Sequence, residues 1–484
     1  MAKFYDTLLW EHIKNPWMKW LSLDKIAFRE FDYKMQSYDE ITNKKEITFD
    51  EVGLEYASVY SGEDVYITAK IFDKQKQEKI TNNKVLQEIE IPLIRVLKNM
   101  EINWVKIDRD RLKWIWILLE KEIKISKKEI FEESQEEFNI NSPKQVWEIL
   151  FDKLKLPKWK KTKTWYSVSV EVLKQLSYKF DIAQKIINYR HYSKILSTYI
   201  NWLIILLDEN DFLHTSYNQF VTSTWRLSST KPNLQNIPMW DWIAWEVRDA
   251  FISRFYDKKT RKNWKIMTFD YSQVEIRLLA IMSGDKNLIN AFKNGIDIHQ
   301  NTQELIWSKD RKTAKAVNFW VIYWISWFWL SKMVDLRVKE ATEYINKFFD
   351  SYPRVKDFLK KIVNDCEKKW YVETMFWRKR FIKWITDSNK TIKKQAEREA
   401  INMPIQWTSA DIIKIAMIKI DKFLNTKKLK SKLIMQVHDE LVFDVFFWEE
   451  EKIEKEVKDI MENIIQDKFV KLKVDIHKWE SWKK

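Results

Sequence analysis

Lys265-Ile-Met-Thr-Phe-Asp-Tyr-Ser-Gln-Val-Glu-Ile-Arg277 is the stretch whose reading decides how this chain folds. Lys265 to Phe269 is a short run of strand type that ends on a carboxylate, Asp270. A matching arrangement lies far downstream, where Lys432 to Val445 reads as two apolar runs around a polar turn, His438-Asp439-Glu440. A carboxylate at a strand end is held by the sheet yet exposed at its edge. Two of them from separate strands can bridge a pair of Mg²⁺ ions ~3.5–4 Å apart, an arrangement that serves phosphoryl transfer. Spacing alone leaves a plainer reading open, because strand-end Asp residues commonly form turns.

A helix is expected from Arg311. Arg311, Lys315, Phe319 and Tyr323 recur every four residues and so line one side of it. Two cations followed by two aromatics make an odd surface for a core helix, where the cations would be unpaired. The face suits a nucleoside triphosphate, with phosphates on Arg311 and Lys315 and the base and sugar against Phe319. An amphipathic helix with a basic flank is the alternative. A second helix is expected from Lys394, with Arg398, Asn402 and Gln406 four apart on one face and Pro404 interrupting and bending it near Gln406.

At 484 residues the chain exceeds a single-core domain, so two to four units are expected. The net charge of +15 suggests a polyanionic partner, nucleic acid ahead of an anionic membrane. One cysteine, Cys366, excludes an internal disulfide and a thiolate metal cluster, and six scattered histidines argue against a zinc site. Asp6, Glu11 and Lys14 interrupt the first apolar stretch, which reads against a signal peptide. The longest apolar run, Phe319 to Leu330, is shorter than the ~20 residues a membrane span requires, so a cytoplasmic protein is expected.

The 27 Trp and 4 Gly invert the needs of a chain this long. Glycine averages about 7% of residues, or roughly 34 here. Trp stands where turns want glycine, as at Asn15-Pro16-Trp17, Asn103-Trp104-Val105 and Met239-Trp240-Asp241-Trp242. The reading adopted is that UGA codons of the gene specify glycine and are rendered here as tryptophan. The alternative, a truly Trp-rich chain, would carry apolar rings on nearly every loop.

Taken together, Asp270-Tyr-Ser-Gln-Val-Glu-Ile-Arg277, Gln436-Val-His-Asp-Glu440 and the helix Arg311 to Tyr323 resemble the polymerase motifs of the DNA polymerase I family, family A. Thr224-Trp-Arg-Leu-Ser-Ser229 resembles that family's Thr-Gly-Arg-Leu-Ser-Ser, and Pro232-Asn-Leu-Gln-Asn-Ile-Pro238 follows it. Ile405-Gln-Trp-Thr408 is similar to its Gln-Gly-Thr, and Lys478-Trp-Glu-Ser-Trp482 to its closing Gly-x-x-Trp. The resemblance covers nearly the whole chain. Trp225, Trp320, Trp324, Trp377, Trp407 and Trp479 fall on family glycines, whereas Trp482 falls on a family tryptophan.

The resemblance implies an α+β right-hand fold: an antiparallel palm sheet with helical fingers and thumb. Its divisions would be 76–205 for the thumb and linking helices, 206–285 and 385–484 for the palm, and 286–384 for the fingers. It implies DNA-directed DNA synthesis by a monomer on primer–template DNA with deoxynucleoside triphosphates and two Mg²⁺ ions. Asp270 and Asp439 would ligate both metals, with the Tyr271 carbonyl completing one shell and Glu440 accessory. Gln273, His299, Arg311, Lys315, Phe319 and Tyr323 would meet the nucleotide, Lys315 also as a proton donor to pyrophosphate. Glu275 would exclude a ribose 2′-hydroxyl. Arg226, Asn233, Gln235, Arg398, Asn402, Gln406 and His438 would contact DNA, the helical three as minor-groove donors that meet acceptors common to all base pairs.

The pattern fails at the N-terminus. Tyr60-Ser-Gly-Glu-Asp64 and Phe4-Tyr-Asp-Thr-Leu-Leu9 resemble the end of a 3′–5′ exonuclease domain, but its earlier carboxylates are not found. Residues 1–75 are therefore expected to be a remnant without proofreading activity. Two rivals remain: a single-subunit RNA polymerase, which Glu275 disfavours, and a catalytically silent DNA-binding relic, which the intact set of Asp270, Asp439, Arg311 and Lys315 disfavours.

Overall fold

The computed structural model describes residues 4–16, 18, 21–78, 83–157, 167–239, 241–255, 264–308, 311–323, 330–331 and 336–483. Trp17, Trp159, Trp165, Trp240, Trp324, Trp327 and Trp329, read above as glycine positions, lie outside this set, as do the side chains of Phe319 and Tyr323.

The strands in chain order are β1 (Val105–Ile107), β2 (Phe212–Leu213), β3 (Ser216–Asn218), β4 (Ser228–Thr230), β5 (Phe251–Ile252), β6 (Trp264–Tyr271), β7 (Tyr371–Glu373), β8 (Lys379–Phe381), β9 (Lys432–Val437), β10 (Glu440–Phe446) and β11 (Val474–Trp479). The central sheet is antiparallel with order β11-β6-β10-β9. The stretch quoted first therefore supplies a central strand, and the later apolar pair is the β9–β10 hairpin with His438 and Asp439 in its turn.

Side chains alternate across a strand, and here the alternation separates two cores. Met267, Phe269 and Tyr271 of β6 and Leu441, Phe443 and Val445 of β10 pack with the helices Val274–Ser283 and Lys390–Thr426. Ile266, Val442 and Val437 face the other way, onto Leu112, Ile115 and Leu119 of the helix Arg109–Ser134. With both faces covered, these strands read as nearly unbroken apolar runs. Each such wholly buried side chain contributes about 1.5–3 kcal/mol relative to an exposed one.

Two sequence expectations about helices are corrected. The long helix starts at Lys390 rather than Lys394, because Asn389 caps it by accepting from the Thr391 amide at 2.9 Å. The run that Pro404 was expected to interrupt is continuous to Thr426, which leaves the expected bend near Gln406 untested. Proline removes one helical hydrogen bond, but Ile401, Ile405, Ile412 and Ile413 are buried on either side of it and tertiary packing keeps the helix in one piece. Strands β1, β2 and β5, which form a three-stranded sheet, were not legible in the apolar pattern.

The described part of residues 1–78 contains no strand, and Leu54–Gln77 is one helix that carries both Tyr60 and Asp64. Among the described residues, no helix is long and apolar enough to cross a membrane.

A charge cluster that sequence reading missed ties distant segments together. Glu90 Oε1 accepts from Arg378 Nη2 at 2.6 Å and from Lys414 Nζ at 2.7 Å, and Arg378 also donates to Asp411. All four side chains are buried.

Candidate active site

Antiparallel pairing brings the two strand-end carboxylates together. Asp270 stands opposite Glu440 in the β6–β10 register, and the Tyr271 amide donates to the Asp439 carbonyl at 3.2 Å. Asp270, His438, Asp439 and Glu440 line one cavity of about 540 Å³. Gln235 and Arg248 line it too.

Burial raises the Asp439 carboxyl above its usual range, as does the charge of Asp270, while the Arg226 guanidinium opposes the rise. Arg226 Nη2 donates to Glu275 Oε1 at 3.1 Å and lies 3.8 Å from Asp439 Oδ1. Two acidic groups facing one cavity create a demand for a cation. Among the described residues no group of three or more His, Cys, Asp or Glu could hold a metal. Asp270 and Asp439 are two carboxylates, a donor type that suits a hard ion keeping waters and substrate phosphates in its shell.

The helix Arg311–Tyr323 forms as expected and packs on the helix Ile298–Ile306. Arg311 and Lys315 are exposed on it, and Arg311 Nη2 donates to Asp297 Oδ2 at 2.5 Å. His299 is buried beside it. The Asn318 amide lies 2.9 Å from His299 Nδ1, and Thr302 Oγ1 donates to Asn318 Oδ1 at 3.0 Å. Burial lowers the His299 pKa, and nearby Arg311 and Lys315 lower it further while Asp297 opposes them.

Two solved or curated relatives and a sequence profile decide the family. The profile of DNA polymerase family A matches residues 109–484. DNA polymerase I of Bacillus subtilis (strain 168) is 39% identical over 489 residues, covering 99% of this chain and 55% of that protein. DNA polymerase I of Lactococcus lactis subsp. lactis (strain IL1403) is 41% identical over 429 residues, covering 86% of this chain and 48% of that protein.

The chain belongs to DNA polymerase family A.

It spans about half the length of these curated relatives. The POL domain of Pol1 from M. smegmatis, solved in complex with DNA primer-template and dNTP, superposes with a TM-score of 0.85 at 29% identity, covering 99% of this chain and 82% of that one. The right-hand α+β polymerase fold expected from the sequence is thereby established. Family A polymerases use divalent metal ions.

Against that family frame, Asp270, Tyr271, Asp439 and Glu440 converge at one end of the sheet, with Glu275 and Arg226 beside them. Gln273 caps the helix Val274–Ser283 in the left-handed conformation at φ 52°. Asn233 and Gln235 are drawn into the fold: Asn233 Oδ1 accepts from the Gln235 amide at 3.1 Å, and Gln235 Nε2 donates to Gln436 Oε1 at 2.8 Å. Arg398, Asn402 and Gln406 form a row of partly exposed positions on an otherwise largely buried stretch of helix. His438 is exposed in the hairpin turn.

Sequence reasoning passed over three residues here. Arg248 is buried in the cavity wall and donates to the carbonyls of Ile237 and Pro238, so it shapes the loop that carries Asn233 and Gln235. Asp297 and Asn318 position Arg311 and His299. Asp297 sits next to the residues already singled out, and its place two residues before His299 was the available signal. Arg248 offered none.

Proposed function

We propose that this chain adds deoxynucleotides to a primer 3′-hydroxyl on a DNA template and releases pyrophosphate. The observation that carries the reading is the meeting of Asp270, on β6, and Asp439, in the β9–β10 turn, in one cavity. Supporting it, the M. smegmatis relative was solved with primer-template and dNTP. The palm would comprise 206–285 and 385–484, the fingers 286–384 and the thumb and linking helices 76–205.

Asp270, Asp439 and the Tyr271 carbonyl would hold two Mg²⁺ ions, which supply activation of the attacking hydroxyl and charge stabilisation on the phosphates. Arg311 and Lys315 would hold the triphosphate, with Lys315 delivering a proton to the departing pyrophosphate. A neutral His299, held by Asn318, would donate to a phosphate oxygen. Phe319 would confine the sugar and Tyr323 would cap the templating position. Glu275, buried and held by Arg226, would occupy the space a 2′-hydroxyl needs, which favours DNA over RNA synthesis. Gln273, Asn233, Gln235, Arg398, Asn402, Gln406 and His438 would line the nucleotide and duplex, and Glu440 would assist the carboxylates.

The test is primer extension by Asp270→Ala and Asp439→Ala. Each is expected to abolish extension while leaving primer–template affinity within a few fold, and retained turnover in either would refute the two-metal assignment.

We further propose that tryptophan in this sequence stands for glycine at the turn and motif positions. Trp104, Trp225, Trp307, Trp370 and Trp377 take φ of 52°, 60°, 56°, 63° and 65°, a region that costs a bulky side chain and suits glycine. Trp307 and Trp370 end the helices Ile298–Ile306 and Pro353–Lys369 in the left-handed conformation, the usual place of a glycine cap. Trp225 is in addition wholly buried, and its indole N–H has no hydrogen-bond partner. Trp320 and Trp407, by contrast, pack inside helices without positive φ. Peptide sequencing of the native protein across 370–377 tests the reading: glycine is expected at both ends, and tryptophan there would end it.

A further inference from the structure

A second cavity, about 650 Å³, opens at the junction of the helices 286–293 and 274–283 with the segment that leads into β11. Its walls carry five cations, Arg277, Lys293, Lys468, Lys471 and Lys473, against two carboxylates, Asp297 and Glu462. Both carboxylates are already engaged. Asp297 receives Arg311 at 2.5 Å, and Glu462 Oε1 accepts from the Val474 amide at 3.0 Å. With five cations against two carboxylates the cavity carries an excess of positive charge, Lys473 being offset in part by Asp475 at 4.0 Å.

The cations are placed by the fold. Val470, Leu472 and Val474 are buried and alternate with exposed Lys471 and Lys473, so the strand period turns both lysines outward. The segment is tied to the catalytic strand by its main chain: the Lys473 carbonyl accepts from the Ser272 amide at 2.8 Å, and the Lys471 carbonyl from Arg277 Nη1 at 2.8 Å. Lys293 Nζ lies 4.4 Å from the centre of the half-exposed Phe469 ring. Lys468 approaches the same ring at 5.9 Å.

Two residues of the cavity wall link it to the candidate active site. Gln273 lies three residues beyond Asp270, and Asp297 is the partner of Arg311. The Arg277 guanidinium covers Phe292 at 4.4 Å, and Lys293 and Lys468 lie over Phe469, so both rings of the wall are engaged by cations. A compact polyanion fits this better than a run of stacked bases, which would want several open rings.

We propose that this lysine-lined cavity is a binding site for polyphosphate at the mouth of the nucleotide site, holding the tail of an incoming deoxynucleoside triphosphate or the departing pyrophosphate. The proposal rests on the reading of Arg311 and Lys315 as the triphosphate-holding face. It adds an outer station from which the anion passes to them or leaves them. A cleft lined by one sign of charge raises the local concentration of its counter-ion, and the effect weakens as salt is added.

The test uses the native full chain and the double variant Lys468→Glu/Lys471→Glu, whose side chains are exposed. KM for deoxynucleotide in extension and KM for inorganic pyrophosphate in the reverse reaction are each expected to rise by about threefold to tenfold at low salt, and by less at high salt. The saturated extension rate and the affinity for primer–template are expected to stay within about twofold. A rise confined to pyrophosphate assigns the site to the product, and one confined to deoxynucleotide assigns it to the substrate. Inorganic pyrophosphate titrated calorimetrically into the chain without DNA should bind more weakly to the Lys468→Gln/Lys471→Gln variant, a readout that does not need turnover. Unmoved KM values with unmoved pyrophosphate binding would overturn the proposal. Weakened binding confined to templates with a long single-stranded overhang would overturn it in favour of a DNA strand. Failure of the polymerase reading looks different, because then the unsubstituted chain extends no primer.

Discussion

Arg226 holds Glu275, its Nη2 donating to Glu275 Oε1 at 3.1 Å. The same nitrogen lies 3.8 Å from Asp439 Oδ1, so one guanidinium spans the residue read as the sugar gate and a carboxylate read as a metal ligand. The DNA contact proposed for Arg226 leaves room for this second role.

Arg226→Ala should therefore loosen sugar discrimination. Ribonucleotide incorporation relative to deoxynucleotide is expected to rise in Arg226→Ala and in Glu275→Ala, and competition assays with the two nucleotides measure it. An unchanged ratio in Glu275→Ala would remove Glu275 as the gate. Arg226 also lowers the Asp439 pKa against burial and Asp270. Removing it raises that pKa further, so the acid limb of the extension profile should move to higher pH.

The buried cluster of Glu90, Arg378, Lys414 and Asp411 gives a stability prediction. Burial disfavours the Glu90 charge, yet Lys414 and Arg378 hold its carboxyl at about 2, below the ordinary 4.5. Glu90→Ala leaves two buried cations short of a partner and should cost about 3–5 kcal/mol in denaturant unfolding. A folded value below the unfolded one means that the Glu90 contribution is present above about pH 4.5 and is lost as pH falls towards 2.

Tryptophan replacements separate glycine positions from true tryptophan. Trp370→Gly removes a half-exposed ring from φ 63° and should stabilise the chain by about 1 kcal/mol. Trp482 is wholly buried, 5.3 Å from the Phe251 ring centre and beneath Arg248 at 3.9 Å. Trp482→Gly should cost at least the ~3–5 kcal/mol of emptying such a site. Thermal unfolding of the two single variants decides it, and equal losses would contradict the assignment.

Proofreading should be absent from the 484-residue chain. Tyr60 packs near Phe49 at 5.9 Å, and Asp64 stands with Glu63 on one helix. A two-metal nuclease needs further carboxylates than this pair. A labelled mismatched primer incubated with Mg²⁺ and no nucleotides should keep its length, and stepwise shortening that disappears in Asp64→Ala would show that the reading of this region is wrong.

Local chemistry was legible from residue order alone. The apolar run into Asp270, the hairpin turn at His438 and Asp439 and the four-residue spacing from Arg311 each express a short-range rule of strand or helix, and the structure returns all three. The inversion of Gly and Trp was visible for the same reason, since turn positions announce themselves locally. What the sequence could not contain was proximity between distant segments. Glu90 meets Lys414 across 324 positions, and Arg226 meets Glu275 across 49. Pro404 marks the same limit from the other side: a local rule places a bend there, and the helix continues through it to Thr426 with buried side chains on both sides of the proline. Residue order determined which side chains sit at strand ends and along helix faces. Tertiary packing alone decided which of them share a cavity, because contact energy between remote segments exists only once the chain has closed on itself.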